Sequence, residues 1–600
     1  MGEMPTGKIS LGRYMWERLH QVGIDTIFGV PGDFNLQFLD SIFLVDGLKW
    51  VGNQNELNAA YAADGYARVK GVPGCLVTTH GVGELSALNG IAGSMSEHVK
   101  VVHVVGQTTK AMQDNHMMIH HSIGRKPDHQ QYAKASAGLR YAAAELWDLK
   151  TAPAEIDRVI RECFIKSGPV YIFLPLDLSA EQVDGTLLGT PLDVEPHVDL
   201  AAQDAAVKAI TSAIAEAQHP SIIVDAWTQR FGAANVAQEL IRKLKVPFFC
   251  ANMGKGVIDE TEETYVGVWN GEVSYPGVKE AAKAADLIIT LGYIPCDTNS
   301  AGFSRKVDDA KAIHINPFDV VVKGQTYPNT SIKSLITALT AALSAEPQHQ
   351  IAKVQLAPPR IPLDEDAKHL TQSFLWPQME AFLRSGDIIV GETGTTNWGL
   401  CDISFPANLQ FISQIYYGSI GFATAATIGA DVARREIEQA TGREGRTILC
   451  TGDGSMALTI QEIGTLIKAQ SKAIVFVINN AGYTIERLIW GARQPYNDIV
   501  PHNYSALLAL YNHPNPSTSF HRATTKAELT AILAKPALQN PQNVQLVELV
   551  LDKLDTCWRL GTQLAWRSEE HKEYLTKEGF VDTYGGWGLE GKAGGDVKWS

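Results

Sequence analysis

An aspartate flanked by glycines closes an apolar run in RTILCTGDGSMALTIQEIG. Glycines let the backbone approach a phosphate closely, and the helical pattern that follows offers free amide hydrogens. Asp453 stands where a metal bridging that phosphate needs an oxygen ligand. The next apolar run, AIVFVI, ends in Asn479-Asn480-Ala481-Gly482, with Asn480 placed 27 residues beyond Asp453. The Asp453 carboxylate, the Asn480 amide oxygen and a backbone carbonyl near Gly482 make an all-oxygen donor set, which suits Mg²⁺ and not zinc. GDG alone is a common turn. Paired with NN one β–α unit later, it points to a diphosphate held at strand ends.

A second candidate is Glu56 in GNQNELNAAYAADGYAR. A helix starting near Asn55 puts Glu56, Ala59, Ala60, Ala63 and Ala67 on one face, and small residues on a face predict close packing. By itself the position equally suits a first-turn acid at the positive end of a helix.

The elements that must position these residues fall into three blocks of alternating strand and helix patterns. The fold class expected is α/β, with three doubly wound parallel-sheet domains over 1–188, 200–345 and 367–566 and a Gly-rich, charged tail over 567–600. Pro-bearing connectors separate the blocks, the second containing Pro358-Pro359. A chain of 600 residues with 45% hydrophobic and 19% charged content can bury several cores. A formal charge of −14 without a basic run argues against nucleic acid as a partner. No stretch is suited to secretion or to spanning a bilayer, and seven scattered cysteines without a CxxC pair fit reduced thiols, so a soluble cytoplasmic protein is expected.

From about Tyr14 to Trp566 the sequence resembles the thiamine diphosphate-dependent 2-oxo acid decarboxylases, as found among the fungal pyruvate decarboxylases. FGVPGDFNL, GNQNELNAAYAADGYAR, HVVG, HH, ETGT, YYGSIGFATAATIGA, GDGS and NNAGYTIERLIWG occur in the expected order. The resemblance implies thiamine diphosphate and Mg²⁺ as cofactors, and release of CO₂ and acetaldehyde from pyruvate. It implies a pyrimidine-binding first domain, a middle domain and a diphosphate-binding third domain. Glu56 would hydrogen-bond a ring nitrogen of the cofactor, and a sparsely hydrated setting favours the protonated carboxyl that this role needs. Ile420 in GSIG would wedge the cofactor into a bent shape, with the Gly418 carbonyl beside its amino group. Thr395, Gly454, Ser455 and Ile485 would complete the cofactor contacts, and Asp453, Asn480 and Gly482 would hold the metal. Asp33, His120 and His121 would handle protons and aldehyde release, while Glu486 would sit beside the substrate carboxylate. Singly, each has a plainer reading: Asp33 as a helix cap, the histidines as solvated loop residues, Glu486 as a helix start. His116 and His120, four apart, suggest a metal pair, but the sequence supplies no third ligand. The resemblance further implies that Glu56 and Asp453 meet across a subunit interface, with a dimer as the minimum and a tetramer expected.

Three positions depart from the pattern. Trp227 stands where many yeast members carry a cysteine linked to substrate activation, Thr298 where phenylalanine is frequent, and Asn397 where a smaller residue stands. A widened pocket makes larger 2-oxo acids, such as indolepyruvate, phenylpyruvate or branched-chain acids, the first alternative substrates. A carboligating acetolactate-type synthase and a non-catalytic binding protein are the other readings.

Overall fold

The structure is a computed structural model describing residues 7–344, 354, 356 and 366–580. It forms two compact units: 1–195 with 417–443 and 459–471, and 196–416 with 444–458 and 472–600.

The first unit is built on six parallel strands, β1 (Thr26–Gly29), β2 (Lys49–Gly52), β3 (Gly74–Thr79), β4 (Val101–Gln107), β5 (Ala142–Glu145) and β6 (Val170–Pro175), ordered β2-β1-β3-β4-β6-β5. The central strands are buried along their whole length, which is why they read as unbroken apolar runs rather than as alternation. Helix α1 (Glu56–Lys70) follows β2 and is crossed by helix α3 (Phe422–Thr441). Its start is fixed by Asn55, whose side chain accepts from Leu57 N at 2.8 Å, and its end by Gly71 at φ 81°. The contact is backbone on backbone: a Cβ on Gly429 would lie 1.8 Å from the Ala62 carbonyl oxygen, and one on Gly65 would lie 2.2 Å from that of Ala426. On another side Ala60 packs against Gly90 of helix α2 (Val82–Ser96). The predicted alanine face is accordingly buried, with Ala59, Ala60 and Ala63 fully enclosed.

The second unit holds two sheets. The middle sheet runs β9-β8-β7-β10-β11-β12-β13, from β7 (Pro220–Val224), β8 (Phe248–Cys250), β9 (Tyr265–Val268), β10 (Leu287–Leu291), β11 (Ala312–Ile315), β12 (Asp319–Val322) and β13 (Gln325–Pro328). Five strands are parallel, and β12 and β13 add an antiparallel edge hairpin where an all-parallel sheet was expected. The Lys323-Gly324 turn, with both residues at positive φ, reverses the chain within two residues, too short for a helical crossover. The third sheet is wholly parallel: β14 (Ile388–Gly391), β15 (Gln410–Ile412), β16 (Thr447–Gly452), β17 (Ile474–Asn479), β18 (Phe520–Ala523) and β19 (Gln545–Val550), ordered β15-β14-β16-β17-β19-β18. Its strand order repeats that of the first sheet.

Beyond Trp566, where a tail was expected, packed structure continues through a helix at Glu569–Glu578, and Leu575 and Phe580 join the third-sheet core. The remainder of the expected tail, 581–600, lies outside the described residues. Among the described residues no helix is long and apolar enough to cross a membrane, and all seven cysteines are buried and unpaired.

Candidate active site

In the second unit, Asp453 leaves the carboxyl end of β16 and Asn480 that of the neighbouring β17, in a register that pairs Gly452 with Ile478. Parallel pairing thus places the two motifs side by side, at the edge where open α/β sheets bind ligands. Asp453 is 2% exposed; Gly454 N–H donates to its Oδ1 at 2.8 Å and Gly482 N–H to its Oδ2 at 3.1 Å. Burial raises its carboxyl to about 6 against the pull of these amides. One end of the Asn480 amide lies 3.0 Å from the Gly482 carbonyl oxygen and 3.1 Å from Asp453 Oδ1; the other lies 2.7 Å from Thr484 Oγ1. Without a cation the amide nitrogen belongs at the first end, donating to both acceptors. With the amide oxygen there, it faces the Gly482 and Asp453 oxygens at the spacing of neighbouring ligands around Mg²⁺, about 3.0 Å for bonds of about 2.1 Å. The residues fit the metal that the sequence implied.

The loop that presents Gly482 is held by a residue the sequence reading missed. Arg487 is fully buried and its guanidinium donates to the carbonyls of Ala481 (2.9 Å), Ala492 (2.8 Å) and Asn497 (3.0 Å) and to Asp498 (2.6 Å). Gly482 itself, at φ 132°, has the Asn497 carbonyl 2.1 Å from where a Cβ would be, so no side chain is tolerated. Arginine inside NNAGYTIER could be read as a surface charge from its neighbours alone; only the closed loop reveals its role. Ile485 and Glu486 lie in the first turn of the helix Thr484–Ile489, Ile485 partly buried against the core and Glu486 exposed at its tip. The surrounding protein still raises the Glu486 carboxyl above its ordinary value by desolvation. Gly454, Ser455 and Thr395 are buried in the first turns of the helices Asp453–Thr459 and Thr395–Cys401.

In the first unit the candidates also emerge from carboxyl ends of strands. Glu56 is half-buried in the first turn of α1, its Oε1 3.2 Å from the position of a Cβ on Gly83. The loop before it is fastened by Glu462, which accepts from Asn53 Nδ2, Gln54 N and Asn58 Nδ2 at 3.2, 3.0 and 2.9 Å. Asp33 follows β1 and caps no helix; Asn35 occupies the cap position of the next helix, and Asp33 Oδ2 instead meets His120 Nε2 at 2.6 Å. His120 stacks on Phe34 with centroids 5.0 Å apart, and His121 meets the same ring edge-on at 6.3 Å. One ligand-type atom from each of Asp33, His120 and His121 lies within 4.8 Å of the others. His116 is not part of this group; its ring bonds the Pro127 carbonyl at 2.9 Å. Gly418 and Ile420 are half-buried in the segment leading into α3, which is pinned by Ser419 Oγ on Tyr61 Oη (2.6 Å) and Asn89 Nδ2 (3.0 Å).

Beneath Phe34 lies His80, also unforeseen. It follows β3, is fully buried, and neither ring nitrogen has a hydrogen-bond partner among the described residues. Burial, with His129, His121 and His120 nearby, pushes its imidazole down to about 3. Glu84, 3.7 Å away and capping Gly81 N–H at 2.9 Å, is pushed up to about 7 by burial. Of the departures, Trp227 packs beside Ala226, Ile294 and Cys296, and buried Asn397 accepts from Ser413 Oγ at 2.6 Å.

Known proteins resemble the chain over most of its length. Residues 9–131 match the N-terminal TPP-binding domain of thiamine pyrophosphate enzymes, 207–343 their central domain and 392–538 their C-terminal TPP-binding domain. Pyruvate decarboxylase isozyme 1 of Saccharomyces cerevisiae is 39% identical, covering 93% of this chain and 98% of that protein. The Candida glabrata pyruvate decarboxylase is 41% identical over 91% of this chain and 96% of its own length. A solved structure, the thiamine diphosphate-dependent 4-hydroxybenzoylformate decarboxylase of Rhodococcus jostii, shares the fold with a TM-score of 0.68 at 18% identity, covering 90% of this chain and 99% of that one. Three matched domains and near full-length identity to named decarboxylases show that the chain belongs to the thiamine diphosphate-dependent 2-oxo acid decarboxylase family.

Proposed function

We propose that the protein decarboxylates pyruvate to acetaldehyde and CO₂, with thiamine diphosphate and Mg²⁺ as cofactors. The observation that carries this reading is the meeting of Asp453 Oδ1, the Asn480 amide and the Gly482 carbonyl at metal-ligand spacing, in a chain about 40% identical to pyruvate decarboxylases. Thiamine diphosphate supplies the electron sink that lets a 2-oxo acid lose CO₂. Asp453, Asn480 and Gly482 hold the ion that ties down the diphosphate, with Gly454, Ser455 and Thr395 around it. Glu56 would hold a proton at the pyrimidine ring, and Gly418 and Ile420 would line the cofactor. Asp33, His120 and His121 pass protons to the product, with the Asp33–His120 pair holding the imidazole in place. Glu486, its carboxyl already biased towards the neutral form, accepts a neighbouring substrate carboxylate at lower electrostatic cost.

The expected three-domain division assigns the pyrimidine to the first domain and the diphosphate to the third. A homodimer is the minimum assembly in this reading, with Glu56 of one protomer serving the cofactor anchored at Asp453 of the other, and a tetramer the working form. Seven buried, unpaired thiols suit a reducing cytosol.

The test is aldehyde and CO₂ formation from pyruvate, phenylpyruvate and indolepyruvate, with and without thiamine diphosphate and Mg²⁺. Cofactor-dependent acetaldehyde from pyruvate is expected. Preference for the aromatic acids would move the reading to a larger-substrate decarboxylase, and acetolactate without acetaldehyde to a carboligating synthase.

A further inference from the structure

The Asp33 cluster has the makings of a second cation site, chemically unlike the one at Asp453. In sequence, His116 and His120 lacked a third ligand; in the fold the third and the true second ligand come from elsewhere. Asp33 crosses from the end of β1 to within 2.6 Å of His120 Nε2, and His121 contributes the other imidazole. Two imidazoles and one carboxylate suit borderline transition-metal ions, whereas the all-oxygen set at Asp453 suits Mg²⁺. We propose that Asp33, His120 and His121 bind Zn²⁺ and that its binding reversibly stops turnover.

The geometry needs only side-chain adjustment. Tetrahedral zinc with bonds of about 2.0 Å keeps its ligands about 3.3 Å apart. The Asp33–His120 distance must open slightly and the widest separation, within 4.8 Å, must close. Asp33 and His120 are 52% and 57% exposed, so their side chains have room to turn, and the ion has a path of entry and water for its remaining positions. The backbone beneath is fixed: Phe34 backs both imidazoles, and the Tyr132 hydroxyl donates to the His121 carbonyl. No cysteine among the described residues competes, since every thiol is buried. The ion replaces the proton between Asp33 Oδ2 and His120 Nε2 and occupies the lone pairs that would move protons. That inhibitory clause rests on the function proposed above; the binding itself does not.

The experiment is calorimetric titration of the holoenzyme, kept in thiamine diphosphate and a large excess of Mg²⁺, with ZnCl₂, alongside the turnover rate. One Zn²⁺ per chain is expected, with affinity reduced at least about tenfold in Asp33→Asn and in His121→Gln, since even outer-shell losses at metal sites cost that much. Turnover of the unaltered enzyme should fall in step with occupancy and return on adding a chelator. Absence of binding, or binding of undiminished affinity in both variants, overturns the site. Binding that depends on the three residues while turnover is unaffected upholds the site and overturns instead their assignment to proton transfer.

Discussion

Glu462 accepts a hydrogen bond from Asn58 Nδ2 at 2.9 Å, so the start of α1 is fastened by a carboxylate from a distant part of the chain. The same fully buried side chain takes Asn53 and the Gln54 amide. Glu462→Ala would leave three donors without acceptors, each costing about 1–3 kcal/mol unless water enters. The apparent melting temperature in scanning calorimetry should drop by several degrees, and a melting curve identical to the parent would show that these bonds hold nothing.

Glu56 tests the chemistry without disturbing the fold, because its half-buried side chain lies at the edge of the packing. Glu56→Gln keeps the volume and removes the acid. A loss of about 10²–10⁴-fold in kcat is expected, the usual scale of a positioned proton donor. Near-normal turnover would contradict the role.

Metal dependence should appear as stability. Thiamine diphosphate with Mg²⁺ at about 100 times Kd adds about 2.7 kcal/mol to the folded state. Adding EDTA, or the change Asp453→Ala, should abolish that increment in thermal melts. A full cofactor-induced rise in Asp453→Ala would place the ion elsewhere.

Acid stability should reveal His80 and Glu84 pulling in opposite directions. His80 has a folded pKa near 3, below its unfolded value of 6.5, so its contribution is present above pH 6.5 and is lost as pH falls. Glu84 has a folded pKa near 7, above its unfolded value of 4.5, so its contribution is present below pH 4.5 and is lost as pH rises through 7. Between pH 4.5 and 6.5 the two slopes oppose each other. His80→Phe should leave the Glu84 slope uncovered, and Tm measured across that window should then fall with rising pH. Unchanged pH dependence in the variant would mean that His80 takes up its proton in the folded protein.

The sequence was most informative where one local pattern forced the outcome. Asn55 marked the start of α1, and a run of alanines with glycine left it only close packing. GDG and NN fell together because adjacent parallel strands put their carboxyl ends side by side. Roles created by chain closure were invisible. Arg487 gathers carbonyls from 481 to 497, Glu462 gathers donors far upstream, and His80 matters through being enclosed; none of these has a periodic signature. The antiparallel hairpin at the edge of the middle sheet escaped notice because its strands, DVVV and QTYP, are four residues each, too short to set up a pattern, and the second is polar and exposed.

The shared strand order of the first and third sheets puts some of the site residues at corresponding strand ends. His80 leaves the third strand of one sheet as Asp453 leaves the third strand of the other, and the His120 segment follows a fourth strand as Asn480 does. Corresponding strand ends of the two sheets thus carry different chemistry: imidazoles at one, oxygen ligands at the other.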